Sequence, residues 1–290
     1  MRITYKAVCC PGQDGAIYGD YLFRFSNNGI CRVFSIKELK EESDAPATLP
    51  QLALFTLDRA SEISPHSNAV VFGNEFYEDG DEFPLLYTNI YNNYAKEEDK
   101  LVGVCCVYRL TRKGNDFSTK LVQLIEIGFT DSRELWRSKG DVEDKRPYGN
   151  FVIDPVTSTY YAFVMRDGNN STRYFSFDLP KLSDGEIDER FGVKKAVLTE
   201  DDIKDYFDTP YHNFIQGACF NDGKIYSTEG FNETIHPAIR VIDTNERRQT
   251  LFFDFCEAGM PIEAEFIDFY NGNCYYGDAK GRLFLIESDA

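Results

Sequence analysis

Apolar residues along the chain gather in short runs, some alternating with polar positions and some nearly continuous, with tight-turn dipeptides between many of them. A period of two marks a strand with one buried face, and a short continuous run marks a strand buried on both. Two segments of the C-terminal half, 216–226 and 265–275, can be laid over each other without a gap. Each reads as strand, turn, strand. The turns fall on Asp222-Gly223 and Asn271-Gly272, dipeptides that accept the positive φ angles of a two-residue hairpin. A third strand follows each, over 238–243 and 282–286, and the first repeat adds a fourth over 250–255. The second repeat reaches Ala290 without one.

The same order recurs upstream. Residues 16–18, 21–25, 31–36 and 52–55 make one unit, 69–72, 85–88, 104–110 and 121–125 the next, and 151–153, 160–164, 173–177 and 195–198 a third. Units that cannot bury their own faces must stack, and four-stranded units arranged radially form a β-propeller. The expected fold is therefore all-β: a single domain over 1–290 with five four-stranded blades. Residues 3–8 supply the strand missing from the last blade and so close the ring. An open sandwich, or six units with one irregular, is the rival arrangement. Helix is expected over 199–207, where Thr199 precedes three acids in a cap-like order, and over 37–43. Longer insertions at 73–84, 89–100 and 128–148 are loops on which ligand contacts often sit.

Composition supports the strand reading, with 24 Phe and 18 Tyr against one Trp and three Met. The net charge of −17 opposes a nucleic-acid backbone or an anionic membrane as partner, because both would be repelled. A small polar ligand, a cation or a protein partner is compatible with it. The N-terminal residues have no apolar stretch of signal-peptide length, and no run of membrane-spanning length occurs, so a cytoplasmic protein with reduced thiols is expected. Two vicinal cysteine pairs, Cys9-Cys10 and Cys105-Cys106, would point to opposite faces of a strand, a poor arrangement for a shared metal.

Superposing the units places one polar residue at the entrance of each first strand: Asp14, Asn68, Asn150, Gln216 and Glu265. First strands line the axis of a propeller, so these five ring one mouth of the channel, with Gln13, His66, Tyr148, His212 and Glu263 nearby. Converging polar groups at a concave mouth are where a ligand is sought first. The plainer reading is that they bond one another or ordered water. His66 and His212 could each carry a proton near neutral pH, whereas His236, beside Pro237, reads as a loop residue. No zinc motif, nucleophile elbow or phosphate loop is present, and no cofactor is expected apart from a divalent cation such as calcium. The acidic stretch 78–82 lacks the spacing of a calcium loop and reads as a solvated turn.

Residues 214–220, followed by Gly223-Lys224-Ile225-Tyr226-Ser227-Thr228-Glu229-Gly230, resemble the blade motif of plant and bacterial glutaminyl cyclases, which are five-bladed propellers that cyclise N-terminal glutamine. The likeness spans about thirty residues and includes Gln216-Gly217. In that family an acid directly follows the aromatic. This chain has Ser227 there, and Glu229 comes two residues later on the same strand face. The resemblance implies a shifted carboxylate as proton carrier. Two functions follow. The first is a ligand- or protein-binding module acting through the mouth and the long loops. The alternative is a propeller enzyme (glutaminyl-cyclase-like, lactonase-like or glycan-active) using Glu229, Glu265 and His66 or His212 as acid and base.

Overall fold

A computed structural model describes residues 2–37, 39, 45–90, 101, 103–129, 150–164, 171–210, 212, 214–231 and 234–287. Strand β1 (Arg2–Val8) leads into a first blade of β2 (Gly15–Tyr18), β3 (Tyr21–Phe25), β4 (Ile30–Ser35) and, after the two-residue β5 (Ala47–Thr48), β6 (Gln51–Thr56). The second blade is β7 (Val70–Phe72), β8 (Leu86–Asn89), β9 (Val104–Lys113) and β10 (Asp116–Ile127). The third opens with β11 (Asn150–Asp154), β12 (Thr159–Val164) and β13 (Thr172–Asp178). Next come β14 (Glu186–Ile187) and β15 (Lys194–Leu198), and then β16 (Asp205–Thr209). The fourth blade is β17 (Ile215–Asn221), β18 (Lys224–Phe231), β19 (Ile235–Asp243) and β20 (Arg248–Asp254). The fifth is β21 (Ala264–Tyr270), β22 (Asn273–Asp278) and β23 (Arg282–Glu287).

The innermost strands touch in the order β2, β7, β11, β17, β21 and back to β2, which makes the molecule a five-bladed β-propeller. The ring closes as the strand count requires. β1 pairs antiparallel with β23, from Arg2 opposite Glu287 to Val8 opposite Arg282, and β5 adds in parallel outside it. Neither a sandwich nor a six-unit ring is formed.

Both faces of each blade are buried because each faces a neighbour. Five apolar clusters fill the five seams, each built from two adjacent blades. Phe23 and Phe25 meet Leu86 and Tyr108 between the first and second blades, while Leu22 turns the other way, toward Phe266 and Leu285 of the fifth. Cys105 and Cys106, adjacent on β9, divide between the two seams flanking the second blade, as alternation demands. Cys9 and Cys10 lie just beyond β1, where the rule no longer applies, and both pack against the seam between the fifth and first blades. Two faces per strand explain the nearly continuous apolar runs. The hairpin turns form as their dipeptides predict, with positive φ at Asp222, Gly223, Asn271 and Gly272.

Two expectations need correction. Strand 195–198 forms, but it does not complete the third blade. As β15 it pairs in parallel with β10 on the outer edge of the second, where Lys195 Nζ lies 3.0 Å from Glu126 and 3.3 Å from Asp188. Alternation marks 195–198 as a half-buried strand but carries no information about which edge it joins. The fourth strand of the third blade is instead β16, inside the segment read as helix. Asp202 accepts hydrogen bonds from the Thr199 backbone and hydroxyl, each at 2.7 Å, and the 3₁₀ turn Glu200–Asp202 forms. The helix stops there because Phe207 stacks on Tyr174 at 5.3 Å, and Asp208 accepts two hydrogen bonds from Arg173. Tertiary packing overrides the capping signal. The 37–43 helix falls mostly outside the described residues, as do 91–100 and 130–148 of the long insertions. Among the described residues no helix is long and apolar enough to cross a membrane.

Candidate functional site at the channel mouth

The five polar residues stand where the innermost strands begin, at one end of the axis. In two blades a shared backbone device sets them. Ile215 pairs with Glu229 and Gly217 with Thr228, leaving Gln216 as the extra residue of a β-bulge. Ala264 pairs with Asp278 and Phe266 with Gly277, leaving Glu265 in the same role one blade later. A bulge re-aims a side chain out of the ladder's alternation. Gln216 Nε2 donates to the Gly230 carbonyl at 2.7 Å and to Glu263 Oε1 at 2.6 Å, tying the fourth blade to the fifth.

Asp14 is fully buried and reaches across blades. Its Oδ2 accepts the Val70 N–H at 3.0 Å, while its Oδ1 faces Gly217, where an added Cβ would lie 2.8 Å away. Burial holds its carboxyl well above the usual carboxylate range, against the pull of the Gly15 and Val70 amides and of Arg24, and Asp268 adds to the rise. Asp268 clasps the next seam, accepting the Ile17 N–H at 2.6 Å, and burial raises it to about 7. Glu265 is raised to about 8 by burial first and by the neighbouring Glu263 second, with Arg24 opposing. Asp14, Gln216, Glu263 and Glu265 thus crowd the end of the axis, and Asp14, Glu265 and the nearby Asp268 all hold their protons more tightly than an ordinary carboxyl.

Arg24 is the residue that pattern reading passed over. It is the next-to-last residue of β3, 1% exposed, with its guanidinium 5.0 Å from the Phe266 ring and one long bond, 3.4 Å, to the Gly12 carbonyl. Among the described residues its Nε and Nη1 have no hydrogen-bond partner, and neither do Asp14 Oδ1, Glu265 Oε2 and Asn150 Oδ1, all buried. The signal was present: a charged residue inside the run Tyr21-Leu22-Phe23-Arg24-Phe25, where burial without purpose is costly.

The other candidates have different settings. His66 Nε2 lies 2.9 Å from Gln13 Oε1, joining the first two blades at the mouth, and burial lowers its pKa. Asn68 is engaged within its own blade. Asn89 Oδ1 accepts the Asn68 and Ala69 N–H groups at 3.0 and 3.2 Å, and Asn89 Nδ2 donates to Asn68 Oδ1. His212 is fully buried between Tyr174 (3.4 Å) and Thr209 (3.5 Å), its pKa driven well down by burial and by Arg240. Glu229 is gripped by Arg240, whose Nε lies 3.1 and 3.0 Å from the two carboxylate oxygens. Tyr148 lies outside the described residues. In the acidic stretch 78–82, Arg109 binds Glu78 and Asp81, and Arg112 binds Glu82, so those carboxylates are neutralised by side chains of β9.

No protein-family model matches the sequence, and none of the curated proteins matches it. In backbone the chain is similar to the crystal structure of Myxococcus xanthus glutaminyl cyclase, at 11% identity and a TM-score of 0.46, over 99% of this chain and 94% of that one.

Proposed function

We propose that this propeller is a binding module whose site is the end of the channel where the innermost strands begin, and that its ligand is small and polar, with N–H donors such as a primary ammonium or an amide. One observation carries the reading: three buried oxygens, Asp14 Oδ1, Glu265 Oε2 and Asn150 Oδ1, lack partners among the described residues at the starts of strands that converge on the axis. A buried polar atom left unsatisfied costs about 1–3 kcal/mol, so a ligand or water that satisfies these atoms is favoured. These oxygens outnumber the two unpartnered Arg24 donors, and with Glu263 beside them they favour a ligand that brings donors and, by drawing protons off Asp14 or Glu265, positive charge, in keeping with the net charge of −17. Of the acid–base set an enzyme would draw on, Glu229 is committed to Arg240 and His212 is buried with a depressed pKa. That weighs toward binding and away from catalysis.

The test is calorimetric titration with small amines, amino-acid amides and calcium, repeated in buffers of different ionisation enthalpy. A cation seated against Glu265 favours its ionised form, so binding should release a proton near neutral pH. Binding that disappears in Asn150→Ala and Glu265→Ala supports the reading. The absence of saturable binding of any probe, or binding that both variants leave intact, refutes it.

A further inference from the structure

We propose that His236, Asp254 and Cys256 form a binding site for a divalent transition metal, zinc by the character of the donors, on the outer part of the fourth blade and apart from the channel. The three come together because strand ends meet. His236 is the second residue of β19, Asp254 is the last of β20, and Cys256 sits in the turn just after it. Asp254 pairs with Ala238, which places His236 on the same sheet face two residues away.

The donor atoms lie within 4.8 Å of one another, and His236 Nδ1 is 2.9 Å from Asp254 Oδ2. Ligands around a tetrahedral zinc stand roughly 3–4 Å apart, so small side-chain rotations suffice. The carboxylate is held by its other oxygen. Asp254 Oδ1 accepts the Cys256 N–H at 2.8 Å, which leaves Oδ2 toward the histidine and fixes its orientation as a supporting shell would. The Cys256 thiol also hydrogen-bonds Asp254, so protons now occupy the positions between donors that a cation would take. Nitrogen, oxygen and sulfur in one trio disfavour calcium and magnesium, which take oxygen ligands, and favour zinc with water in the fourth position. His236 is 64% exposed at its side chain, so a metal and that water can enter from solvent. The spacing escaped the sequence because the ligands belong to two strands and a turn, with seventeen residues between the first pair.

The experiment is titration of metal-free protein with zinc against a chromophoric chelator, and with cobalt monitored by absorption. One equivalent per chain, a thiolate-to-cobalt charge-transfer band, and at least tenfold weaker binding in both His236→Ala and Cys256→Ser confirm the site. Circular dichroism checks that both variants fold, as expected for an exposed His236 and a half-buried Cys256 in a turn. No uptake, uptake without the thiolate band, or uptake unchanged in either variant overturns it. None of these outcomes depends on the channel mouth, whose residues are untouched.

Discussion

Arg240 meets Glu229 with two nitrogens, Nε and Nη2 each within 3.1 Å of the carboxylate, in a pair whose side chains are only 12% and 4% exposed. Arg240 Nη1 also donates to Gln249 at 2.7 Å, and the guanidinium lies 4.4 Å from the Phe252 ring. Removing one member of such a pair strands the other charge in a poorly solvated place. Glu229→Ala and Arg240→Ala should each cost about 3–5 kcal/mol in urea unfolding, and the double variant Glu229→Leu/Arg240→Met should recover most of it. Additive losses in the double variant would show that the pair does not act as a unit.

Glu265 makes stability fall as pH rises. Its carboxyl ionises normally near 4.5 in the unfolded chain and near 8 in the folded one. The folded state therefore binds the extra proton between those values, so the stability tied to it is complete below 4.5 and lost on rising through 8. Glu265→Gln should match the wild type near pH 5 and exceed it near pH 9 by on the order of 2–4 kcal/mol. Thermal unfolding across that range checks it, and parallel curves for the two proteins would contradict it.

Gly217 is required by space. A Cβ there would come 2.6 Å from the Glu265 carbonyl oxygen and 2.8 Å from Asp14 Oδ1, both held by strands of other blades. Gly217→Ala should cost about 1–3 kcal/mol by overpacking. It should also weaken any ligand at the mouth, because relief must move Asp14 or Glu265. Chemical denaturation measures the first effect and calorimetry the second.

Phe207 tests the corrected fourth strand of the third blade. Stacked on Tyr174 and buried, Phe207→Ala should cost about 3–5 kcal/mol. Its neighbour Tyr206 is 51% exposed, so Tyr206→Ala should cost at most about 1 kcal/mol. Equal effects at both positions would fit a helix or a loop better than a strand with one face inward.

How far the sequence could be read follows from how local each signal is. Hairpins such as Lys224 opposite Asn221 announce themselves through adjacent turn residues, and the repeat of strands gives the blade count. The pairing of Lys194–Leu198 with β10 depends on contacts seventy residues away and leaves no local trace. The same holds at the mouth. Repeat symmetry locates Gln216 and Glu265, but the bulges that turn them, and the burial of Arg24 beside them, arise only when blades pack. Glu229 and His212 look available along the sequence because Arg240 and Tyr174, which engage them, come from neighbouring strands.

The closure of the ring by β1 also sets a timetable for biosynthesis. Arg2 is synthesised well ahead of its partner Glu287, with all five blades between them. Translation at about 5–20 residues per second leaves β1 waiting tens of seconds with an open strand edge. Blades one to four can dock in sequence during that interval, but the ring can lock only once β23 has emerged. The waiting strand, Arg2–Val8, is the segment a chaperone would have most reason to shield.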